Sequence, residues 1–312
     1  MEILSATTNA RPQYGVIIYP ESGFFLPVKS HTELEIGFGN GEFTVQYAKN
    51  HPEIFLYGIE ISQSCVLRCA RRAYGLENLR IINTDARYML KELFCDESLN
   101  KIIMQFPCPW SGSSNAHRRV TAKNFADGLA SVLKIGGIFE FISDDQEYSQ
   151  EVKNVLGSHE ALNNISFEIN PEREITTKYE RKWLEEGKNI YRLEFRKTKA
   201  FTTTRQVNTQ EMHVKIKKSI TSQDLEKLRN TTGKDSEKKS FWKFGRSFTD
   251  NNNSWLVETL TSDDEFEQKF YINISQKDDG FSLVRLDKTA DAFLTPSVRA
   301  AITDAANKLL HS

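Results

Sequence analysis

Residues Leu34-Glu35-Ile36-Gly37-Phe38-Gly39-Asn40-Gly41 form an apolar step into a turn with glycine at alternate positions. Glycine lacks a Cβ, so such a turn bends sharply and lets the backbone approach a ligand closely. The following Glu42-Phe43-Thr44-Val45-Gln46-Tyr47-Ala48 reads as the opening of a helix, and together they make a nucleotide-type cradle. A dinucleotide fingerprint would put a further glycine where Glu42 stands, to seat a pyrophosphate against the helix N-terminus. Here Glu35 and Glu42 flank the turn, and two carboxylates repel phosphate but suit a cationic, phosphate-free nucleoside. The expected cofactor is therefore S-adenosyl-L-methionine rather than NAD, with Glu35, Gly37 and Gly39 at its site. A plain strand-to-helix turn is the alternative for the glycines taken alone.

From residue 34 to about 142, short apolar runs alternate with stretches of helical period. The runs are 34–36, 55–61, 79–82, 101–106 and 138–142, and helices are expected over 42–50, 63–75, 86–94 and 121–134. Gly136-Gly137 reads as a helix stop before the fifth strand. Strand, helix, strand in repetition implies a parallel sheet with helices on both faces, and ligands of such a sheet bind beyond the carboxyl ends of its strands. Glu60 follows the second run roughly 20 residues after the glycines, where a carboxylate accepts from ribose hydroxyls. Asp85 follows the third run, placed for the adenine edge; for either acid alone a helix N-cap is the alternative. Phe106-Pro107-Cys108-Pro109-Trp110 follows the fourth run and Ser143-Asp144-Asp145-Gln146-Glu147-Tyr148 the fifth, before a helix to about 156. Strands at 165–167 and 191–195 then complete the sheet.

The chain has 312 residues, enough for a substantial core and two domains. Its net charge of -1 means that nucleic-acid binding must come from local patches. No apolar run approaches the roughly 18 residues a spanning helix needs, and no signal peptide opens the chain, so a cytoplasmic protein without a membrane partner is expected. Cys65, Cys69, Cys95 and Cys108 include no Cys-x-x-Cys pair, so reduced thiols and no metal are expected, with Cys65 and Cys69 buried one helical turn apart.

The two late strands after a five-stranded parallel core match the Rossmann-like, seven-stranded methyltransferase sheet. The residues Glu35-Ile36-Gly37-Phe38-Gly39-Asn40-Gly41, Gly58-Ile59-Glu60, Asn78-Leu79-Arg80, Asp85-Ala86, Phe106-Pro107-x-Pro109-Trp110, Arg118-Arg119, Asp144 with Tyr148, and Thr177-Lys178-Tyr179-Glu180 resemble the bacterial tRNA (guanine-N7)-methyltransferase family. The resemblance covers roughly residues 30–197. It implies S-adenosyl-L-methionine contacts at Glu35, Glu60, Asp85 and Cys108, guanine or tRNA contacts at Asp144 and at Thr177, Lys178, Tyr179 and Glu180, and methylation of a variable-loop guanosine. Arg118 and Arg119 are the expected phosphate-facing cations. Two positions depart from the family pattern. Cys108 stands where the family has an aspartate, making it the doubtful catalytic residue, and residues 111–117 are neutral where the family is basic. A non-catalytic tRNA-binding member of the family, or a methyltransferase with another substrate, stays open at this level.

The N-terminal residues 1–33 are expected to pack on the methyltransferase domain, assigned to 34–199. Polar residues after Lys199 look like a linker into a small α+β domain over 200–312 with antiparallel strands. Expected strands include 213–217, 255–258, 270–274 and 281–285, with helices at 222–230 and 297–310. In it, Lys238-Lys239-Ser240-Phe241-Trp242-Lys243-Phe244-Gly245-Arg246-Ser247-Phe248 interleaves basic and aromatic residues. Such a run either contacts RNA or is an amphipathic strand with its aromatics in the core. The acidic Asp263-Asp264-Glu265 turn argues against a uniformly basic face.

Overall fold

The structure is a computed structural model describing residues 16–20, 23–109, 119–207, 212–237, 239–249, 253–264, 266–277, 279–290 and 292–311. It divides into two compact units, with the boundary between Arg205 and Gln206 and residues 21–23 grouped with the second unit.

The first unit alternates strands and helices: β1 (Thr32–Ile36), α1 (Glu42–Asn50), β2 (Phe55–Glu60), α2 (Gln63–Arg72), β3 (Leu79–Asn83), α3 (Ala86–Leu93) and β4 (Leu99–Gln105). It continues with α4 (Lys123–Val132), β5 (Leu133–Ser143), α5 (Gln146–Gly157), β6 (Leu162–Ile169), α6 (Lys178–Glu185) and β7 (Tyr191–Lys197). These strands form one seven-stranded sheet in the order β3-β2-β1-β4-β5-β7-β6. β1 to β5 run parallel, and β7 is antiparallel to both β5 and β6. All residues of β1 and β2 are buried, as required of central strands covered on both faces. On one face Val45, Ala48, Val66, Cys69 and Ala70 of α1 and α2 close over Leu56, Leu79 and Ile81. On the other, Phe94 at the end of α3 meets Tyr57 edge-on at 5.3 Å. Val16 to Ile18 extend the first sheet's hydrogen bonding through Ile81, and Leu26 N–H donates to Leu93 O at 2.7 Å.

Gly136 and Gly137 do not stop a helix before the fifth strand. α4 ends at Val132 and both glycines lie inside β5, where the register against β4 slips between Leu99 and Lys101. The extra residues form a bulge, and Gly136 takes its positive φ of 85° there. The segment after β7 stays attached to the first unit: Arg205 donates to Lys91 O, Phe94 O and Asp96, the last at 2.7 Å.

The second unit contains β8 (His213–Ile216), α7 (Ser222–Leu228), β9 (Thr232–Asp235), β10 (Ser240–Thr249), β11 (Ser254–Asp263), β12 (Phe266–Gln276), β13 (Ser282–Leu286) and α8 (Pro296–Leu310). The strands pair antiparallel in the order β8-β13-β12-β11-β10-β9. Leu225 and Leu228 of α7 and Val298, Ile302 and Leu309 of α8 bury one face of this sheet together with Trp242, Phe244, Val257, Ile272 and Val284. Asp263, expected in an exposed acidic turn, is buried; it accepts from Ser240 Oγ at 2.7 Å and from Ser297 N–H at 2.8 Å, where it holds the start of α8.

The turn after β1 makes the sharpest demand on sequence. Gly41 has φ 75°, and a Cβ there would lie 2.3 Å from Cys69 Sγ. Left-handed strain and overpacking act together at this position, so Gly41→Ala is expected to lose about 2–4 kcal/mol of stability in urea unfolding. The double variant with Cys69→Ala should recover the part due to crowding and leave the backbone part.

Candidate active site

The carboxyl ends of β1 to β5 present the expected residues along one edge of the sheet. Gly37 and Gly39 take positive φ values of 76° and 56°, and a Cβ at either would meet nothing within 4 Å. The turn is thus a backbone wall facing open space. Glu60, the last residue of β2, accepts from Gly39 N–H at 2.9 Å and from Ser62 N–H at 2.8 Å. Asn83 braces the same corner by donating to Glu60 O at 2.8 Å and Ile61 O at 2.9 Å. Each Glu60 oxygen uses one lone pair on the backbone and retains another for a ligand hydroxyl.

Glu35 lies inside β1, accepts from Thr44 Oγ1 of α1 at 2.6 Å and is buried. Burial pushes its carboxyl up from 4.5 to about 7, against the lowering effects of the Thr44 hydrogen bond and the nearby Arg173 charge. Asp85 caps α3 through Arg87 N–H at 2.9 Å and pairs with the Arg87 guanidinium at 2.6 Å. The cap reading of Asp85 is therefore realised, at the same edge where an adenine contact was expected.

On the far side of this edge, Phe106 leaves β4 with φ 50°, a left-handed conformation uncommon for a bulky residue. Its ring packs on Trp183 of α6 at 4.8 Å, which fixes the start of the Pro107-Cys108-Pro109 segment against that helix. Cys108 is exposed. Tyr148 Oη accepts from Val120 N–H at 3.1 Å, while burial, the largest cause, holds its pKa up at about 12. Trp110 and Arg118 lie outside the described residues. Arg119 is engaged by Glu151 at 2.5 Å rather than presented as an open phosphate contact.

Asp144 follows β5 and pairs with Lys188 at 3.2 Å; the neighbouring Asp145 caps α5 through Tyr148 N–H at 2.8 Å. Thr177 and Glu180 form a reciprocal capping box at the start of α6. Lys178 and Tyr179 begin that helix, and their side chains lie outside what is described. Glu180 is 2% exposed, so it faces inward rather than toward a substrate. Its partner is Arg173, a residue the sequence did not single out. Arg173 donates to Glu180 Oε2 at 2.5 Å and to Gln105 Oε1 at 2.6 Å, with its guanidinium 5.9 Å from the Phe43 ring. One cation thereby ties β4, α1 and α6 together. The only local sign of it is an arginine shortly before the cap box, which the periodic pattern does not distinguish. Since the Arg173 donor fixes Gln105 Oε1, the amide nitrogen points away from it and has no partner among the described residues.

The first unit's sheet order, its reversed seventh strand, the glycine turn after β1 and the acids at β2 and β3 define a Rossmann-like methyltransferase. A family model described as "Putative methyltransferase" matches residues 29–193. A tRNA (guanine-N(7)-)-methyltransferase of Thermotoga maritima is 33% identical over 87% of this chain and 87% of its own length. One of Coprothermobacter proteolyticus is 27% identical over 99% of this chain and 93% of its own. One of Nitrosococcus oceani is 34% identical but aligns with 53% of this chain and 71% of its own. This chain belongs to the tRNA (guanine-N7)-methyltransferase family. No helix among the described residues is long and apolar enough to cross a membrane.

Two outcomes follow from the buried charges. A carboxyl whose folded-state pKa is raised holds its proton more tightly in the folded chain. Glu35 therefore contributes stability below pH about 4.5 that is lost as the pH climbs toward about 7. Comparing urea midpoints of the protein and Glu35→Gln across this window should show a pH-dependent difference on the order of 2–3 kcal/mol, with the variant gaining at the alkaline end. Arg173→Met strands the buried Glu180 carboxylate and is expected to cost about 3–5 kcal/mol, largely restored by adding Glu180→Gln.

Proposed function

We propose that this protein transfers a methyl group from S-adenosyl-L-methionine to N7 of a guanosine in tRNA. One juxtaposition carries the reading: the glycine turn with Glu60 and the Cys108 segment with Asp144 and α6 share the carboxyl edge of one sheet. The names and extents of the relatives support the same substrate.

The residues fit the cofactor. Open space beside Gly37 and Gly39 admits a nucleoside, Glu60 retains lone pairs for both ribose hydroxyls, and Asp85 stands where an adenine amino group can donate. Glu35 supplies negative charge beneath the turn when it ionises. S-adenosyl-L-methionine supplies, when bound, an electrophilic methyl group on a sulfonium. Guanine N7 carries a free lone pair, so no base is needed there and the protein's task is alignment. Asp144 can accept from the N1–H and N2 amino donors of guanine, a pattern adenine lacks, and Lys188 holds it in place. Thr177 and Glu180 shape the start of α6 from within, and the family resemblance assigns Lys178 and Tyr179 to contact with the RNA. The exposed Cys108 stabilises the positive charge that moves onto the purine less well than a carboxylate would. That thiol is also the observation favouring a second reading, a family member that binds tRNA without turnover.

Mass spectrometry of tRNA incubated with the protein and labelled cofactor should find N7-methylguanosine. Cys108→Asp is expected to raise kcat, and Asp144→Asn to lower kcat/KM, each by on the order of tenfold. Methylation at a different atom would overturn the reading, and so would tRNA binding with no product at high enzyme concentration.

A further inference from the structure

The antiparallel sheet of the second unit has one face covered by α7 and α8, and its other face is unlike an ordinary solvated surface. Along β10 the burial alternates: Trp242 and Phe244 enter the core, while Phe241 and Lys243 point the other way. The register slip between Phe244 and Ser247 brings Arg246 and Phe248 onto that outer side. Phe241 is 40% exposed, Phe248 43% and Tyr271 of β12 37%, so three aromatic rings lie on a face where polar residues are the rule. Phe248 and Tyr271 meet edge-on at 6.1 Å, and the Arg246 guanidinium lies 5.4 Å from the Phe248 ring centre.

Charge on this face is segregated. By strand register and alternation it carries Lys215, Lys234, Lys243, Arg246, Lys269 and Arg285 against Glu258 and Glu267, with Asp279 from the loop before β13 pairing with Lys215 at 3.0 Å, in a chain whose net charge is only -1. Glu258 is offset by Lys269 at 2.7 Å and Arg246 at 3.4 Å, whose hydrogen bonds hold its carboxyl down at about 2. Among the described residues Lys234 and Lys243 make no ion pair. Asn273 Oδ1 and Arg285 Nε, cross-strand neighbours on the same face, have no hydrogen-bond partner among the described residues. Of the acidic turn that argued against a uniformly basic face, Asp263 is turned into the core, while Asp264 stays partly exposed and pairs with Lys239 at 3.1 Å.

We propose that this face is a second RNA-binding surface, which stacks unpaired bases on Phe241, Phe248 and Tyr271 and neutralises their phosphates with the surrounding lysines and arginines. Rings on a pleated surface offer flat platforms to successive bases, and cations beside them follow the backbone. A protein partner fits less well, because lysine is depleted at the centres of protein interfaces, whereas here lysines alternate with the rings. The surface lies in the second unit and uses none of the residues assigned to methyl transfer. It rests on the proposed function only for the identity of the RNA, as tRNA.

The test measures binding of the full-length chain to a fluorescent, unstructured oligouridine at increasing salt, alongside methyl transfer to tRNA at saturating RNA. The unaltered protein should bind with strong salt dependence. Phe241→Ala with Phe248→Ala should weaken oligouridine binding by roughly tenfold or more, since one stacked base contributes about 1–3 kcal/mol, whereas Phe248→Tyr should bind normally. Lys234→Gln with Lys243→Gln, surface changes that spare the core, should flatten the salt slope by about 1.4 for two lost phosphate contacts. Transfer at saturating tRNA should be unchanged in all three. Failure of the unaltered protein to bind, or unchanged affinity in the aromatic variant, or an unchanged salt slope in the lysine variant, overturns the proposal. Oligouridine binding without N7-methylguanosine formation would instead count against the methyl-transfer reading and leave this one standing.

Discussion

The buried guanidinium of Arg173 is the interaction on which the arrangement of the carboxyl edge of the first unit's sheet depends. A side chain this buried must have its charge met, and Glu180 meets it while Gln105 takes a second N–H. Because Glu180 also closes the capping box of α6, the ion pair and the helix start are one structure. Gln105 is the last residue of β4, so the same cation sets where the Phe106-Pro107-Cys108 segment begins. Arg181 to Glu42 at 3.3 Å and Phe106 on Trp183 then hold α6 over the turn from two further directions.

The acids of the site show that capping and ligand binding are not competing assignments. Asp85 and Asp145 both satisfy N–H groups at helix starts, as their positions after strands require. Those starts face the carboxyl edge of a parallel sheet, which is where ligands of such sheets bind. A cap at that edge therefore stands where a ligand-binding carboxylate would also be placed, and the two assignments do not exclude one another. Glu60 works similarly: Gly39 and Ser62 N–H groups hold it rigid, and its remaining lone pairs point outward. Glu35 differs, because burial keeps it protonated to near neutrality and its charge becomes available only when the surroundings reward ionisation.

In the second unit a single basic and aromatic run divides between two environments. Strand alternation sends Trp242 inward, where its indole N–H donates to Asp304 of α8 at 2.7 Å, and Phe244 inward to full burial. The residues between them go outward, so the core reading holds for Trp242 and Phe244 and the RNA reading is confined to the outward residues. The bulge decides the split by changing which residues share a side after Gly245.

Much of this was legible in the chain itself. Alternating apolar runs and helical periods determined the parallel sheet, its turn glycines and the acids ending its strands, because backbone geometry imposes those residue types locally. The motifs from Glu35 to Glu180 placed the family, and Phe241 to Phe248 marked the second unit as unusual. What only the tertiary structure decided was which groups face each other across distance. Arg173 lies 68 residues from Gln105 in sequence, so no local pattern announces their contact. The Gly136-Gly137 pair reads as a helix stop until β4 lies beside it and makes it a bulge. Asp263 reads as solvated until α8 arrives with N–H groups to be satisfied. In each case the sequence determined the chemical capacity of the side chain, and the fold determined whether water or another part of the chain would meet it.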